Sequence, residues 1–263
     1  MKRKRIIHQI RSAKIAEPVR LAVAADLHSS SFEDVLPDFR KCDAVLVPGD
    51  LVDRHRKNNE NAFRFLREIP AEIPVFYAIG NHERKFRRAD EYLEMVRKSG
   101  AVLLDNESCT FREIRIGGVS STASRIPDLN FLNRFEQEKG FRLLMCHHPE
   151  MYRDYISGRD IDFTVCGHAH GGQIQIMGHG LYAPGQGLFP KLTHGLHDDG
   201  KMMVSRGMTN GAKPRIPRIC NPCELIILEI EPVSPDKAAR GRKDREQSGC
   251  PGGKEDSLLE TEH

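Results

Sequence analysis

The sequence has no tryptophan, and aromatic residues make up only 6% of its 263 residues. Proteins that bind single-stranded nucleic acid line a basic channel with aromatic rings, and a net charge of +3 does not indicate such a partner. No uninterrupted apolar run approaches the roughly 20 residues that span a bilayer, and no apolar core follows the charged N-terminus as in a secretory signal. Seven scattered cysteines are typical of a reducing compartment. We therefore expect a cytoplasmic protein with no clear nucleic-acid partner.

Both ends of the chain differ in composition from its middle. The first 20 residues hold a cluster of Lys and Arg and a single acid, Glu17. We predict that residues 1–18 form a basic, solvated segment leading into the first strand, with peripheral contact to anionic headgroups at the inner face of the membrane as the alternative. Residues 234–263 have little to bury, which predicts a disordered tail. Residues 19–233 remain for one folded domain.

Apolar runs alternate with helical patterns over residues 19–170. Because these runs are continuous rather than alternating, they predict strands that are buried on both faces. The strands are predicted at residues 19–25, 44–47, 74–79, 141–146 and 161–166, and the helices at 59–69, 89–99 and, more weakly, 129–139. After residue 170 the sequence is rich in glycine and short β-like runs, which we interpret as a β-rich half that closes the same core. The sequence predicts one α/β domain with layered sheets.

Each of the five predicted strands ends on a side chain that can bind a metal or a phosphate. Ligands collect at the carboxyl ends of strands in open α/β sheets, so these residues are expected to converge on one site. One such residue is ordinarily a helix cap or a surface histidine, but five coincidences in chain order favour a site. The candidate ligands are Asp26, His28, Asp50, Asn81, His147, His168 and His170.

The types and spacing of these residues predict two metal ions. In an extended segment, Asp26 and His28 lie on the same side of the chain, and His168 and His170 repeat that spacing. Two such pairs exceed the needs of one tetrahedral ion, and the Asp50 carboxylate is suited to bridge two. Mixed oxygen and nitrogen ligands suit several divalent ions, of which we favour Mn²⁺, with Fe, Zn²⁺ or Mg²⁺ as alternatives.

A proton donor for the leaving group is the remaining requirement, because two cations can share a hydroxide for attack at phosphorus. His82, beside Asn81, is the candidate acid, and Asp53 could hold its ring in the productive tautomer. These residues predict a metal-dependent phosphoric ester hydrolase acting on a phosphoester substrate.

Taken together, these motifs resemble the calcineurin-like metallophosphoesterase family. The residues that carry the resemblance are Asp26-x-His28, Gly49-Asp50-x-x-Asp53, Gly80-Asn81-His82-Glu83, His147 and Gly167-His168-x-His170, in the family's order. The resemblance implies a single domain of two mixed β-sheets packed as a sandwich and flanked by helices. It also implies that one ion takes Asp26, His28, Asp50 and His170, and the other takes Asp50, Asn81, His147 and His168.

Within that family, the second half is similar to the bacterial YkuE/YaeI-type phosphodiesterase branch. The similarity lies in residues 167–173, 181–190 and 204–207, and it implies hydrolysis of phosphodiester or pyrophosphate bonds. The chain departs from that branch at two places. It has a basic N-terminal segment where many members have an export signal or anchor, and it has Ser120-Ser121 where relatives carry acidic residues.

Three alternatives remain open. A protein Ser/Thr-type phosphomonoesterase shares the Gly49-Asp50 and Gly80-Asn81 motifs, and Arg54 would contact the phosphoryl group in that case. A non-catalytic scaffold could keep the same fold, although no ligand is missing from the motifs. A nuclease could use the same two metals, but the sequence supplies no clear aromatic, basic channel.

Overall fold

The apolar runs form short strands, most of which are buried on both faces. The computed structural model describes residues 3–212 and 216–233. In chain order, the strands are β1 (Lys4–Ser12), β2 (Val19–Val23), β3 (Ala44–Val47), β4 (Val75–Ala78), β5 (Val102–Leu104), β6 (Glu107–Phe111), β7 (Ile114–Val119), β8 (Phe141–Cys146), β9 (Phe163–Cys166), β10 (Gln175–Ile176), β11 (His179–Gly180), β12 (Tyr182–Ala183), β13 (Gly187–Leu188), β14 (Gly195–His197), β15 (Met202–Val204) and β16 (Glu224–Pro232).

Six α-helices lie between these strands in the described part of the chain. They are α1 (Leu36–Phe39), α2 (Glu60–Glu72), α3 (Asn81–Arg84), α4 (Ala89–Lys98), α5 (Leu129–Phe135) and α6 (Pro149–Met151). A π-helical turn, Tyr152–Ile156, continues α6, and 3-10 turns occupy His170–Gly172 and Asp198–Gly200. The three helices that the sequence predicts are present as α2, α4 and a shorter α5.

Two mixed sheets of six strands each form the centre of the fold. The first has the order β1-β16-β2-β3-β4-β5 and the second β14-β15-β9-β8-β7-β6. Strands β2 to β5 run parallel to one another, as do β7, β8, β9 and β15. Their carboxyl ends therefore meet at one edge of each sheet.

Alternating side chains of the strands supply three layers of core. In β2, Leu21 and Val23 face the second sheet, whereas Ala22 faces the helices, as the two-residue period of a strand requires. The core between the sheets contains apolar residues from both of them. Helices α2 and α4 cover the outer face of the first sheet, and α5 covers that of the second. The predicted fold class, two mixed sheets in a sandwich flanked by helices, is confirmed.

The β-rich second half completes this core. Strand β15 pairs in parallel with β9, and β16 lies between β1 and β2 in the first sheet. The two strands thus contribute to different sheets of the same sandwich, so the second half is no separate domain. The predicted tail over residues 234–263 lies outside the described residues.

The N-terminal segment differs from its prediction. Lys4–Ser12 is the edge strand β1, and it pairs in parallel with β16 along its whole length. The interpretation of residues 1–18 as a solvated segment is therefore wrong for this stretch. Its basic side chains are largely engaged in ion pairs, namely Arg3 with Asp34, Arg5 with Asp38, Arg11 with Glu231, and Lys14 with Asp162. Contact of this segment with a membrane stays a prediction. In the described ranges, no helix has both the length and the apolar character needed to cross a bilayer.

The Arg3 side chain connects the start of β1 to the loop that follows Asp26 and His28. Its side chain is buried, and its guanidinium donates to Met208 O at 2.7 Å and to Ser31 O at 2.7 Å. The same group donates to Ser30 Oγ at 2.8 Å and pairs with the Asp34 carboxylate. Burial of a charged group is tolerated when every donor finds such a partner.

We predict that Arg3→Ala lowers the free energy of unfolding by about 2–4 kcal/mol, because it leaves the carboxylate and several carbonyl groups without their donor. Arg11→Ala is the matched control, since the Arg11 side chain is about half exposed and its pair with Glu231 is 3.8 Å long. The control should lose no more than ~0.5 kcal/mol. Urea denaturation measures both values, and equal losses would contradict the role given to Arg3.

Candidate metal centre

All seven predicted ligand residues meet at the carboxyl ends of the parallel strands. Asp26 and His28 follow β2, Asp50 follows β3, Asn81 follows β4, and the three remaining histidines follow β8 and β9. Both sheets contribute, so the site lies across the edge of the sandwich. Six of the seven are buried, and Asn81 is partly buried.

One cluster consists of Asp26, His28 and His170. The Nε2 atoms of His28 and His170 lie 3.2 Å apart, and each lies 3.7–3.8 Å from Asp26 Oδ1. Ligands bound at about 2.1 Å around one ion are separated by about 3.0–3.4 Å. The three groups are therefore spaced almost as ligands of one cation.

A second cluster consists of Asp50, Asn81, His147 and His168. His147 Nε2 lies 3.2 Å from Asp50 Oδ2 and 3.1 Å from Asn81 Oδ1. One donor atom each of Asp50, His147 and His168 lies within 4.8 Å of the others. His147 Nδ1 faces Pro48 O at 2.9 Å, a bond that fixes the ring and leaves Nε2 as the ligand atom.

Asp50 connects the two clusters. Its Oδ1 accepts a hydrogen bond from the backbone N–H of His82 at 2.8 Å. Its Oδ2 is left to face both His147 Nε2 and, at 3.8 Å, His28 Nε2. One oxygen of the Asp50 carboxylate thus faces a histidine nitrogen of each cluster.

Charge and hydrogen bonding both show that the cluster fits divalent cations. Burial, reinforced by the Asp50 carboxylate, raises the pKa of Asp26 to about 7, and burial lowers the pKa of His28 to about 3. Although burial opposes it, the Asp50 charge raises the pKa of His147 to about 10, so a proton there partly compensates the carboxylates. His168 Nε2 is buried without a hydrogen-bond partner. Cations would satisfy this nitrogen and displace the proton.

The local geometry of the ligands differs from the prediction. Asp26 and His28 lie beyond the end of β2, and both have a left-handed backbone, with φ of 52° and 46°. His168 and His170 are also left-handed, at 67° and 48°. The two pairs converge through these turns and not through the alternation of an extended strand. Such conformations are costly for residues other than glycine and are typical of functional sites.

His82 and Asp53 lie beside the metal ligands. His82 Nδ1 lies 3.3 Å from Asp53 Oδ1. The backbone N–H of Arg54 also faces His82 Nδ1, at 3.2 Å. His82 Nε2 lies 4.0 Å from Asp50 Oδ2. Although burial opposes it, the Asp50 and Asp53 carboxylates raise the pKa of His82. A protonated His82 would therefore direct its Nε2–H toward the metal clusters.

A cavity of about 410 Å³ opens over the clusters. His28, Asp50, Asn81, His82, His168 and His170 line its floor, and the side chains around them include four cationic residues, Arg54, Arg84, Lys85 and Arg125. Arg54, the predicted phosphate contact, donates from Nε to His55 Nε2 at 3.0 Å. An anionic substrate would be attracted to such a rim.

Comparison with known proteins agrees with this geometry. A model of calcineurin-like phosphoesterases matches residues 19–172, which is more than half of the chain and includes all seven candidate ligands. The chain belongs to the calcineurin-like phosphoesterase family. The predicted family is thereby confirmed, and with the histidine and aspartate clusters it indicates that the protein binds divalent metal.

Several relatives are 26–28% identical to the chain over the parts that align. An uncharacterized metallophosphoesterase of Campylobacter jejuni is 28% identical, over 83% of this chain and 59% of the relative. An uncharacterized metallophosphoesterase of Aquifex aeolicus is 27% identical, over 73% of this chain and 74% of the relative. Phosphodiesterase YaeI of Escherichia coli is 26% identical, over 61% of this chain and 64% of YaeI. The chain therefore spans less than two thirds of the Campylobacter and Escherichia relatives.

Glu83 is a structural centre of the candidate metal site that the sequence did not single out. Its buried carboxylate accepts hydrogen bonds from Asp50 N at 2.9 Å, Leu51 N at 2.8 Å and Gly80 N at 3.0 Å. It also accepts one from Tyr77 Oη at 2.7 Å. The carboxylate thus ties the loop after β3 to the loop after β4. Its position in the Gly80-Asn81-His82-Glu83 motif was the available signal.

A second group that sequence reasoning missed lies under the cavity wall. Ser121 Oγ is 2.7 Å from His148 Nε2, and His148 Nδ1 is 3.6 Å from Glu150 Oε1. The same Glu150 oxygen lies 3.3 Å from the Arg125 guanidinium. The His148 ring also packs edge-on against His168 at 4.2 Å between ring centroids, and donor atoms of His148, Glu150 and His168 lie within 4.8 Å of one another, close enough to hold a metal ion.

Arg218 and Asn221 support the first cluster from the distant C-terminal half. The Arg218 guanidinium lies 3.1 Å from His170 Nδ1, and Asn221 Nδ2 donates to His170 O at 2.7 Å. These residues lie 48 and 51 positions from His170. Neither has a motif in the sequence that would have revealed the contact.

We predict that Glu83→Gln weakens metal binding by about 10–100-fold, because in either orientation its NH2 group faces a backbone donor, from Asp50 and Gly80 at one position or from Leu51 at the other. Competition with a fluorescent chelator measures the affinity. Glu107→Gln, an exposed glutamate on β6, is the matched control and should leave the affinity unchanged. The role of Glu83 is refuted if both variants bind metal like the parent protein.

Proposed function

We propose that the chain hydrolyses phosphodiester or pyrophosphate bonds with two divalent cations, with Mn²⁺ as the favoured metal. The observation that carries the proposal is the placement of Asp50 Oδ2 between two clusters of nitrogen and oxygen donors. One ion would be held by Asp26, His28, Asp50 and His170. The other would be held by Asp50, Asn81, His147 and His168.

When bound, the cations supply a hydroxide nucleophile and polarise the phosphoryl oxygens. The chain's own residues would do the rest. The cationic rim attracts the substrate, and Arg54 contacts its phosphoryl group. His82, whose ring is held in place by Asp53 at Nδ1, would donate the proton on Nε2 to the oxygen of the leaving group. Diester or pyrophosphate specificity is supported by the similarity to phosphodiesterase YaeI.

A phosphomonoesterase of the protein Ser/Thr type is the second candidate. Its support is that Arg54, directly after Asp53, lines the cavity, and because both candidate enzymes would use Arg54, substrate preference has to separate them. A scaffold without activity is the candidate from another class. It would have no use for a buried, charge-strained cluster with an unpartnered His168 nitrogen.

The deciding experiment is a screen of the full chain with Mn²⁺ against bis-p-nitrophenyl phosphate, p-nitrophenyl phosphate and a phosphopeptide. We expect the diester to have the highest kcat/KM, and removal of the metal by a chelator to abolish turnover. Asp50→Ala should reduce bound metal from about two ions per chain to less than about one and eliminate activity, since both positions lose a ligand. Asp90→Ala, an exposed residue of α4, is the control and should keep both. Preference for the phosphopeptide would favour the monoesterase, and inactivity on all three would favour the scaffold.

We predict that His82→Ala keeps the full metal content but lowers kcat by ~10²–10⁴. Loss of a general acid matters most when the leaving group is a poor one. The decrease should therefore be larger for a phenyl ester than for the matching p-nitrophenyl ester. Metal analysis accompanies the kinetics, because a parallel loss of metal would identify His82 as a ligand instead.

A further inference from the structure

Two small hairpins beside the cavity carry large apolar side chains into solvent. The hairpins are β10–β11 and β12–β13. Their exposed residues are Ile176 at 59%, Met177 at 95%, Leu188 at 69% and Phe189 at 75% of full exposure. We call these four residues the apolar tips. Surface apolar residues scattered singly are normal, but grouped ones mark an interaction site.

The backbone at the tips is also unfavourable for the residues that occupy it. Met177 and Gly178 form the two-residue turn of the first hairpin, and both have positive φ, at 50° and 83°. Asn, Asp or Gly is preferred at such positions. Phe189 has a φ of 51°, which is rare for a bulky side chain. Folding stability thus favours other residues at both positions. The presence of Met177 and Phe189 is therefore better explained by binding to a partner than by a role in the fold.

The charge around the tips favours an anionic surface. Residues 171–197 contain no Asp or Glu, although 37 of the 263 residues in the chain are acidic. The two hairpins share a surface cavity, to which Gly178 and Phe189 both contribute. The cation Lys191 lines the same cavity, together with His179, His194 and His197. Burial lowers the pKa of His194 to about 4 and lowers that of His197, so these two rings are neutral near pH 7. The first acid after this stretch, Asp198, accepts a hydrogen bond from Tyr152 Oη.

The shape of the tips distinguishes a lipid surface from a protein partner. A stable protein interface buries about 800 Å² of one continuous face on each partner. The apolar tips are instead divided between two narrow turns, with the Lys191 cation lining the cavity that they share and no acidic side chain in residues 171–197. Large apolar side chains flanked by positive charge are the features that insert into the headgroup region of a bilayer.

We propose that the apolar tips dock the protein on the surface of a phospholipid bilayer that contains anionic headgroups. Tyr182 and Pro184 of the second hairpin line the metal cavity, and Tyr182 pairs with Leu188 across the hairpin. Docking would therefore place the mouth of the cavity beside the headgroups. The proposal concerns binding alone and does not depend on the reaction that the site performs.

The test is cosedimentation of the full chain with vesicles of phosphatidylcholine containing one quarter phosphatidylglycerol. Met177→Asn with Phe189→Asn should lower the vesicle partition coefficient by about 10-fold or more, because two large apolar side chains are lost. Asn suits a positive φ, so the double variant should melt no lower than the parent protein. Its metal-dependent hydrolysis of soluble bis-p-nitrophenyl phosphate should be unchanged.

Met95→Gln is the matched control, since Met95 is a similarly apolar, exposed residue on α4, away from the tips. It should bind vesicles like the parent protein. The proposal is overturned if the parent chain stays in the supernatant, or if the double variant sediments as well as the parent. It is also overturned if Lys4→Gln on β1, and not the double variant, releases the protein. Loss of self-association instead of vesicle binding would assign the tips to a second copy of the chain.

Discussion

The buried carboxylate of Glu83 is the contact on which the metal centre depends. One of its oxygens, Oε2, accepts hydrogen bonds from the backbone N–H groups of both Asp50 and Gly80, so the loops after β3 and β4 keep a fixed separation. The loops lie so close that a Cβ on Gly49 would come within 2.6 Å of Gly80 Cα. Asp50 can face both clusters only because this pair of loops is fixed. The Glu83 carboxylate therefore lies in a centre that already contains other carboxylates. Its burial, reinforced by the charge of Asp50, raises the pKa of Glu83.

Much of the framework follows from local sequence, because parallel strands buried on both faces are continuous apolar runs. Strands β3 and β8 have the predicted bounds for this reason, and the ligands follow from the rule that loops converge at strand ends. Strand β1 was missed because its side chains are mixed in polarity and its partner, β16, is more than 200 residues away in the chain. The buried Arg3 side chain also depends on contacts between distant parts of the chain, since its hydrogen-bond acceptors include Met208 O. Pairing between distant segments leaves no periodicity to detect.

The site separates in the same way into a local and a non-local part. Residue types and spacing predict which side chains bind metal, but not the left-handed turns that aim Asp26 and His168. The supporting residues are still harder to predict. Ser121 contacts His148 across 27 positions, and Arg218 contacts His170 across 48. Their roles exist only once segments that are distant in the chain have been brought together by the fold. Candidate ligands and supporting residues next to them in the chain, such as Glu83, therefore lie in motifs, whereas supporting residues from distant segments, such as Arg218, leave none.

Left-handed residues occur in two settings in this fold, and the difference between them bears on function. At Asp26 and Asp50 the unfavourable backbone is held by hydrogen bonds from neighbouring loops, such as Asp26 N to Gly49 O at 3.3 Å and His28 N to Asp50 O at 2.9 Å. The chain thus offsets the cost internally, as expected for a site that must be fixed before it binds. Met177 has the same left-handed backbone, and its side chain is almost fully exposed. No burial within the chain offsets the cost of this backbone or the cost of exposing the apolar side chain. Such a residue would gain free energy when its side chain is buried against a partner outside the chain. A bilayer surface is the partner that would bury it here.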